Sequence, residues 1–287
     1  MDETETTGEL ILVATPIGNL GDLSARALDL FRRADVIFCE DTRHSRTLFS
    51  AHGIPSGGRL RALHEHNEAA QSVRVIERVT AGELVVLISD AGTPGISDPG
   101  GRVAAAAIAA GLRVTTAPGP SAVIAALCVS GLSTDRFVME GFLPRKAGER
   151  ASRLAQWASE ERTIVFYESP QRVALVMGEL ANLFPDRRVA VARELTKLHE
   201  EVIRGAAREV SEVLSARDIL GEVVVVLEGA IVMEAISDDD IAAALEDQWR
   251  EGATTRDAVD YVSSALGVAH RDVYRLALAQ RKGRTTK

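Results

Sequence analysis

The residues best suited to chemistry stand in short polar runs that directly follow apolar ones. Ser89-Asp90-Ala91-Gly92-Thr93-Pro94-Gly95-Ile96-Ser97-Asp98-Pro99-Gly100-Gly101 holds four glycines and two prolines, straight after Leu84-Val85-Val86-Leu87-Ile88. Glycine lets a ligand reach the backbone, proline stiffens the loop, and Asp90, Thr93 or Ser97 could orient a polar group. Thr15-Pro16-Ile17-Gly18-Asn19-Leu20-Gly21-Asp22 and Ala117-Pro118-Gly119-Pro120-Ser121-Ala122 repeat the theme after two other apolar runs. Neither the dinucleotide pattern Gly-x-Gly-x-x-Gly after the first strand nor the phosphate-binding Gly-Lys-Ser/Thr occurs. The three loops carry no Lys or Arg, so a triphosphate would lack counter-charge there and a cationic ligand suits them better.

Further polar runs form a second layer: Cys39-Glu40-Asp41-Thr42-Arg43-His44, Leu63-His64-Glu65-His66-Asn67-Glu68, Phe166-Tyr167-Glu168-Ser169-Pro170 and Arg193-Glu194-Leu195-Thr196-Lys197. His64 and His66 alternate and on a strand would share one face. No third ligand accompanies them, so no metal is expected. They read as substrate-binding or proton-handling groups, or as solvated loop residues.

The elements that must position these runs follow from periodicity. Residues 10–14, 35–39, 83–88 and 113–116 are short apolar or β-branched stretches. The first is followed by a helix with Asp22 or Ser24 as cap and Leu23, Ala27, Leu30, Phe31 and Ala34 on one face. Continuous apolar strands alternating with helices predict a mainly parallel sheet covered on both sides, whose ligands gather beyond the carboxyl ends of its strands. After Pro118-Gly119-Pro120 the alternation resumes, with strands predicted at 136–142, 163–167, 188–192 and 222–227 and a helix at 172–184. The stretch 198–205 is too short for a crossover helix, which predicts a mixed sheet in this half. The last fifty residues read as three helices marked by Ile241, Leu245 and Trp249, by Ala258, Val259, Val262 and Leu266, and by Val273, Leu276 and Ala277. The latter two are joined by Gly267-Val268-Ala269, as in a helix-turn-helix or a plain helical cap. The expected division is 1–118, 119–234 and 235–287.

At 287 residues, 46% hydrophobic and 26% charged, the chain is an ordinary globular composition. Cys39 and Cys128 form no metal or disulfide pattern. The start Met1-Asp2-Glu3-Thr4-Glu5 is acidic where a secretory signal is basic, and no run is long enough to span a bilayer, so a cytoplasmic protein without membrane attachment is expected. The net charge of −8 divides unevenly: residues 252–287 carry seven Lys and Arg against three Asp, leaving −12 on the rest. Arg271, Arg275, Arg281, Lys282 and Arg284 lie on or after the last helix.

The loops and polar runs above, together with Gly141-Phe142-Leu143-Pro144-Arg145-Lys146, occur in an order that closely resembles the small-subunit ribosomal RNA methyltransferase I branch of the tetrapyrrole methylase-like superfamily. The resemblance spans about residues 10–230. It implies two α/β domains with S-adenosylmethionine in the cleft between them, a small C-terminal helical domain, and a homodimer. It also implies methylation of the ribose 2′-hydroxyl of a cytidine in 16S rRNA, free or in the small ribosomal subunit. The cofactor-binding positions fall on Pro16, Asp90, Gly92, Thr93, Pro94, Ile96, Ser121, Ala122, Tyr167 and Leu195. Thr93 stands where many superfamily members have Asp, so a charge contact is not expected there. A ribose hydroxyl is a weak nucleophile, which makes Glu40, Asp41 and His64 candidate bases and Arg43 and Lys197 candidate cations for the developing alkoxide. The competing readings are a methylase acting on a tetrapyrrole, a non-catalytic nucleoside sensor and a non-enzymatic RNA-binding or ribosome-assembly factor. Arg145, Lys146 and the basic tail favour phosphate contacts.

Overall fold

The computed structural model describes residues 8–230 and 236–284, with side chains described to residue 280. Met1 to Glu5 and the side chains of Arg281, Lys282 and Arg284 therefore lie outside the described residues. The chain forms two compact units, Met1–Ala230 and Ile231–Lys287.

The first unit opens with β1 (Glu9–Val13), α1 (Ala25–Arg33), β2 (Val36–Cys39), α2 (Thr42–Ala51), β3 (Leu60–Ala62), α3 (Glu68–Thr80), β4 (Leu84–Ile88), α4 (Gly101–Ala109) and β5 (Arg113–Ala117). Its strands form one parallel sheet in the order β3-β2-β4-β1-β5. Alternation sends Ile11, Val13, Ile37, Cys39, Val86 and Ile88 against α1 and α2. Leu10, Val36, Phe38, Val85 and Leu87 turn to α3 and α4 on the other face. Both faces are thus buried, as the unbroken apolar strands require. Leu23, Ala27, Leu30, Phe31 and Ala34 are all buried, and the Ser24 hydroxyl caps α1 by accepting the Ala27 N–H at 3.1 Å.

β1 and β4 are neighbours, yet the chain leaves β1 toward β2 and leaves β4 toward β5. The loops that follow them diverge to opposite faces, and such a switch point is where open α/β sheets keep a crevice.

Next come α5 (Ala122–Ser130), β6 (Phe137–Phe142), α6 (Ala147–Gln156), β7 (Thr163–Glu168), α7 (Pro170–Leu183), β8 (Arg188–Arg193), β9 (Glu201–Ala206), α8 (Ala207–Ser215) and β10 (Val223–Leu227). The sheet order is β6-β7-β10-β8-β9, with β6 parallel to β7 and every other pair antiparallel, which is the mixed sheet predicted. One face packs Ile164, Phe166, Val189, Val191, Val223 and Val225 against α6, α7 and α8. The other presents Val165, Ala190, Ala192, Val224 and Val226 to α5, and Ile17 from the loop after β1 joins this second layer. Ile17 therefore fastens the first sheet's switch-point loop into the core of the second.

The second unit holds α9 (Asp238–Arg250), α10 (Thr255–Leu266) and α11 (His270–Arg284) around Ile241, Leu245, Ala258, Val259, Val262, Val273 and Ala277. Ser237 and Thr254 cap the first two helices, and Gly267 (φ +65°) ends α10 in the left-handed conformation, turning the chain into α11. Among the described residues no helix is long and apolar enough to cross a membrane.

Phe166, fully buried with its ring 5.3 Å from that of Trp157, sits at the centre of the second sheet's main core. Phe166→Ala is expected to cost about 3–5 kcal/mol, read as a lower urea midpoint with an unchanged slope.

Candidate functional site

The three Gly/Pro loops lie at the ends of the adjacent strands β4, β1 and β5 and are laced together. Thr15 and Gly92 exchange two backbone hydrogen bonds, at 2.9 and 3.0 Å. The Thr15 hydroxyl donates to the Ser89 carbonyl (3.1 Å), and the Thr93 hydroxyl donates to the Pro120 carbonyl (3.1 Å). Thr93 is thus a brace between two loops, a task that a carboxylate, lacking a proton to donate, could not perform there. Gly92 takes φ +84°, and a β-carbon on it would press to 3.4 Å of Ile17, so glycine serves both conformation and approach.

Between these loops and the second sheet lies a cleft of about 350 Å³, within the ~300–1,000 Å³ of small-molecule sites. The first sheet contributes Ile17, Asp90, Gly92, Thr93, Ile96, Ser97, Asp98, Ser121 and Ala122. The second supplies Phe142, Tyr167, Glu168, Ser169, Gly221, Glu222 and Val224. Four carboxylates line it and no Lys or Arg does, among the described residues. Glu168 is buried, accepts the Ser169 N–H (2.7 Å) and faces Arg172 at 3.2 Å. Glu222 pairs with Lys197 at 3.0 Å, and Asp90 accepts the Asp41 N–H at 3.0 Å. Asp98 has no cationic partner among the described residues. Burial first, then the charge of Glu40, push its carboxyl up to about 6, against the weaker pull of the Ser89 hydroxyl. Burial and Asp90 likewise raise Glu40, with His64 opposing, and burial raises the Tyr167 phenol.

Most expected cofactor positions meet here: Asp90, Gly92, Thr93, Ile96, Ser121, Ala122 and Tyr167 all line the cleft. Pro16, Pro94 and Leu195 are buried behind its surface, Leu195 in the same apolar layer as Ile17. Glu40, Asp41, Arg43, His64 and Lys197 are not on the lining. Asp41 caps α2 by accepting the Arg43 N–H (2.7 Å) and pairs with the exposed Arg43 guanidinium (2.8 Å), which holds its carboxyl well below the usual range. His64 and His66 do not share a strand face. β3 ends at Ala62, and the two rings meet edge-on at 6.1 Å in a turn pinned by Asn67, whose side chain accepts the His64 N–H (2.9 Å). Lys197 bonds both Glu194 (2.8 Å) and Glu222, which outweigh its burial and hold its pKa above the ordinary lysine value.

Asp98, Phe142, Glu168, Gly221 and Glu222 complete the lining without having been singled out from the sequence. Phe142 and Glu168 stood in runs already noted. Gly221-Glu222 carried no local signal, because its place is set by Glu194, which accepts the Glu222 N–H (3.0 Å) and leaves no room for a β-carbon on Gly221.

A buried carboxylate from α3 holds the start of α4: Glu68 accepts the N–H groups of Gly100 (2.8 Å) and Arg102 (3.2 Å). Glu68→Ala should cost about 1.5–3 kcal/mol, the usual worth of hydrogen bonds to a charged group; Glu68→Gln, which keeps an acceptor, should recover much of it in the same unfolding measurement. Asp98 behaves oppositely. Its folded pKa lies above the unfolded value near 4, so its contribution is fully present below about pH 4 and is lost as pH rises through about 6. Asp98→Asn should therefore melt above the wild type at pH 7.5, with the gap closing below pH 4.

Residues 9–211 match the family of Tetrapyrrole (Corrin/Porphyrin) Methylases. Over 233 residues the chain is 49% identical to a ribosomal RNA small subunit methyltransferase I of Xylella fastidiosa, covering 80% of this chain and 85% of that one. Over 279 residues it is 42% identical to the protein of the same name from Mycobacterium tuberculosis, covering 96% and 97%. Among solved structures, the methyltransferase CobJ superposes with a TM-score of 0.58 at 20% identity, covering 78% of this chain and 95% of that one. The cobalt precorrin-4 methyltransferase CbiF gives 0.55 at 18%, covering 79% and 97%. At such identities these two establish the fold alone.

Proposed function

We propose that this chain, which belongs to the tetrapyrrole (corrin/porphyrin) methylase family and within it to the ribosomal RNA small subunit methyltransferase I group, uses S-adenosylmethionine to methylate the ribose 2′-hydroxyl of a cytidine in 16S rRNA. The observation that carries this reading is the cleft's lining: four carboxylates, laced glycine loops and no cation. Such a surface repels phosphates and suits a ligand bearing a sulfonium and an ammonium group. Bound there, S-adenosylmethionine supplies an electrophilic methyl group.

The chain's own residues do the rest. Gly92, Ser121 and Ala122 offer backbone groups at the strand ends, Ile96 and Tyr167 offer apolar surface, and Asp90 offers negative charge to the cofactor. Pro16, Pro94, Thr93 and Leu195 act behind that surface by fixing the loops. Lys197, committed to Glu194 and Glu222, holds the far wall. Phe142 is 61% exposed at the edge of the cleft, and its ring lies 5.3 Å from that of Tyr167, presenting an aromatic face to an unstacked base. Beside it, Arg145 and Lys146 are exposed on a loop whose carbonyls are held from inside by Arg150 and Arg172. These two cations fit the phosphates that flank such a nucleotide. In the second unit, Arg271 and Arg275 are largely exposed on α11 and suit RNA phosphates on their own account. The homodimer belongs to this reading through the resemblance, and sedimentation of the pure protein tests it.

A tetrapyrrole substrate is the second reading. It is less favoured because the tetrapyrrole enzymes share only the fold, whereas the 42–49% identical relatives carry the ribosomal name.

Incubation with methyl-labelled S-adenosylmethionine and undermethylated small subunits, free 16S rRNA or a tetrapyrrole precursor should label RNA alone. Label in the tetrapyrrole, or in neither, contradicts the proposal. Phe142→Ala should raise KM for RNA roughly tenfold, as the loss of one aromatic–base stack would, while cofactor affinity measured by calorimetry stays unchanged.

A further inference from the structure

Phe142 lines the cleft and also borders a second hollow, of about 530 Å³, between the end of β6 and α6. This double position comes from an irregularity in β6. Met139 pairs with Val165 of β7 and Phe142 with Tyr167, so β6 takes three steps where β7 takes two. The extra residue is absorbed next to Gly141, at φ +69°. Successive side chains of a strand alternate between faces, and one extra residue reverses the alternation. Before the bulge, Val138 packs into the core beneath α6, and Glu140 on the same side reaches Arg153 of α6. An unbroken strand would send Phe142 after them. The bulge turns it to the face of Met139 and Tyr167 instead, and the hollow opens between Glu140 and the Phe142 ring.

The opposite wall is one stripe of α6. Glu149, Ser152, Arg153 and Gln156 recur at helical spacing along the hollow, while Arg150 and Leu154 turn inward and are buried. The cleft has no cation on its lining, but here each carboxylate has its own: Arg153 for Glu140 and Lys146 for Glu149. A charge-balanced surface selects neither phosphate nor a cationic ligand. What it offers is directional hydrogen bonding. Arg153 divides its guanidinium, with Nε donating to Glu140 Oε2 (2.7 Å) and Nη1 donating to Gln156 Oε1 (2.9 Å). Both side chains are thereby oriented. The Glu140 side chain is 10% exposed, and its Oε1 accepts no hydrogen bond among the described residues. Gln156, with its oxygen engaged, is left to present its amide N–H groups.

We propose that this hollow is the base-reading subsite of the enzyme and that Glu140 selects cytosine over uracil, an inference that rests on the function proposed above. Cytosine carries an amino group at N4 beside the acceptor N3. Glu140 Oε1 accepts from N4, the Gln156 amide donates to N3, and the ring lies against Phe142. Uracil reverses both contacts: its O4 faces a carboxylate oxygen and its N3–H faces another N–H. Arg153 is a positioning residue, holding acceptor and donor one guanidinium apart.

The test compares kcat/KM on reconstituted, undermethylated small subunits whose 16S rRNA carries either cytidine or uridine at the methylated position. Taking the ratio within one enzyme preparation cancels any loss of folded protein. The wild type should favour cytidine by about 5- to 150-fold, the discrimination that one well-made polar base contact supplies. Glu140→Gln can turn an amide N–H toward O4, and should bring the two substrates within about threefold while binding S-adenosylmethionine as the wild type does in calorimetry. Arg153→Lys keeps the charge without bridging two partners and should narrow the ratio as well. Equal use of both substrates by the wild type overturns the proposal, as does an unchanged ratio in Glu140→Gln. If Glu140→Gln is inactive on both, an unchanged ratio in Arg153→Lys overturns it instead. A wild type that transfers no methyl to cytidine in rRNA brings down the parent reading; one that methylates cytidine with a ratio indifferent to these substitutions removes this inference alone.

Discussion

The cleft depends on the pair of backbone hydrogen bonds between Thr15 and Gly92. At a switch point the loops after neighbouring parallel strands run to opposite faces of the sheet, and nothing in the sheet itself keeps them in register beyond the last ladder bond. The Thr15–Gly92 bridge extends the pairing of β1 with β4 past the strand ends. From it the Ser89 hydroxyl braces the loop after β4 from within by donating to the Gly92 carbonyl, and the Thr93 hydroxyl carries the lacing to the loop after β5. Ile17, two residues along, then enters the apolar layer of the second sheet. One short bridge thus ties the Gly/Pro loops to each other and to the opposite wall.

The electrostatics follow from what this scaffold leaves unpaired. A half-buried cleft lined by carboxylates destabilises the empty protein, since each negative charge is partly desolvated and repels its neighbours. The structure relieves two of the four with cations placed behind the lining, Arg172 for Glu168 and Lys197 for Glu222, and leaves Asp98 with only the Ser89 hydroxyl to oppose burial and the charge of Glu40. A ligand carrying positive charge completes the balance. Binding preference and the cost to stability therefore share one physical origin, and the site trades stability for function as strained active sites do.

Much of the frame was legible because its physics is local. Unbroken apolar runs at 10–14, 35–39 and 83–88 are those of strands buried on both faces, and α1 declared its buried stripe and its Ser24 cap. That the three Gly/Pro loops would gather at one rim was legible because each follows such a strand. The chemistry was less legible, for reasons that are equally physical. Asp41, Arg43 and the His64/His66 pair drew attention as dense polar runs at strand ends, yet such runs also serve as helix caps and turn pins, which is what Asp41 and Asn67 do. The raised carboxyl of Asp98 comes first from burial and then from the charge of Glu40, both set by the tertiary fold, so no local pattern could announce it. Gly221-Glu222 owes its place to the fold of the Arg193–Lys197 segment, again a tertiary effect.

The two halves of the molecule divide the work. In the proposed function the parallel sheet presents backbone and carboxylates to the cofactor, and the mixed sheet contributes Tyr167, Phe142 and the basic Arg145-Lys146 loop for the RNA. The most direct measurement of the central claim is tandem mass spectrometry of 16S rRNA fragments after incubation of undermethylated small subunits with the enzyme and S-adenosylmethionine. One added methyl on the ribose of a single cytidine, with its base unmodified, is the predicted result. A methyl on the base, or RNA left unchanged while the protein binds the cofactor normally, would contradict it.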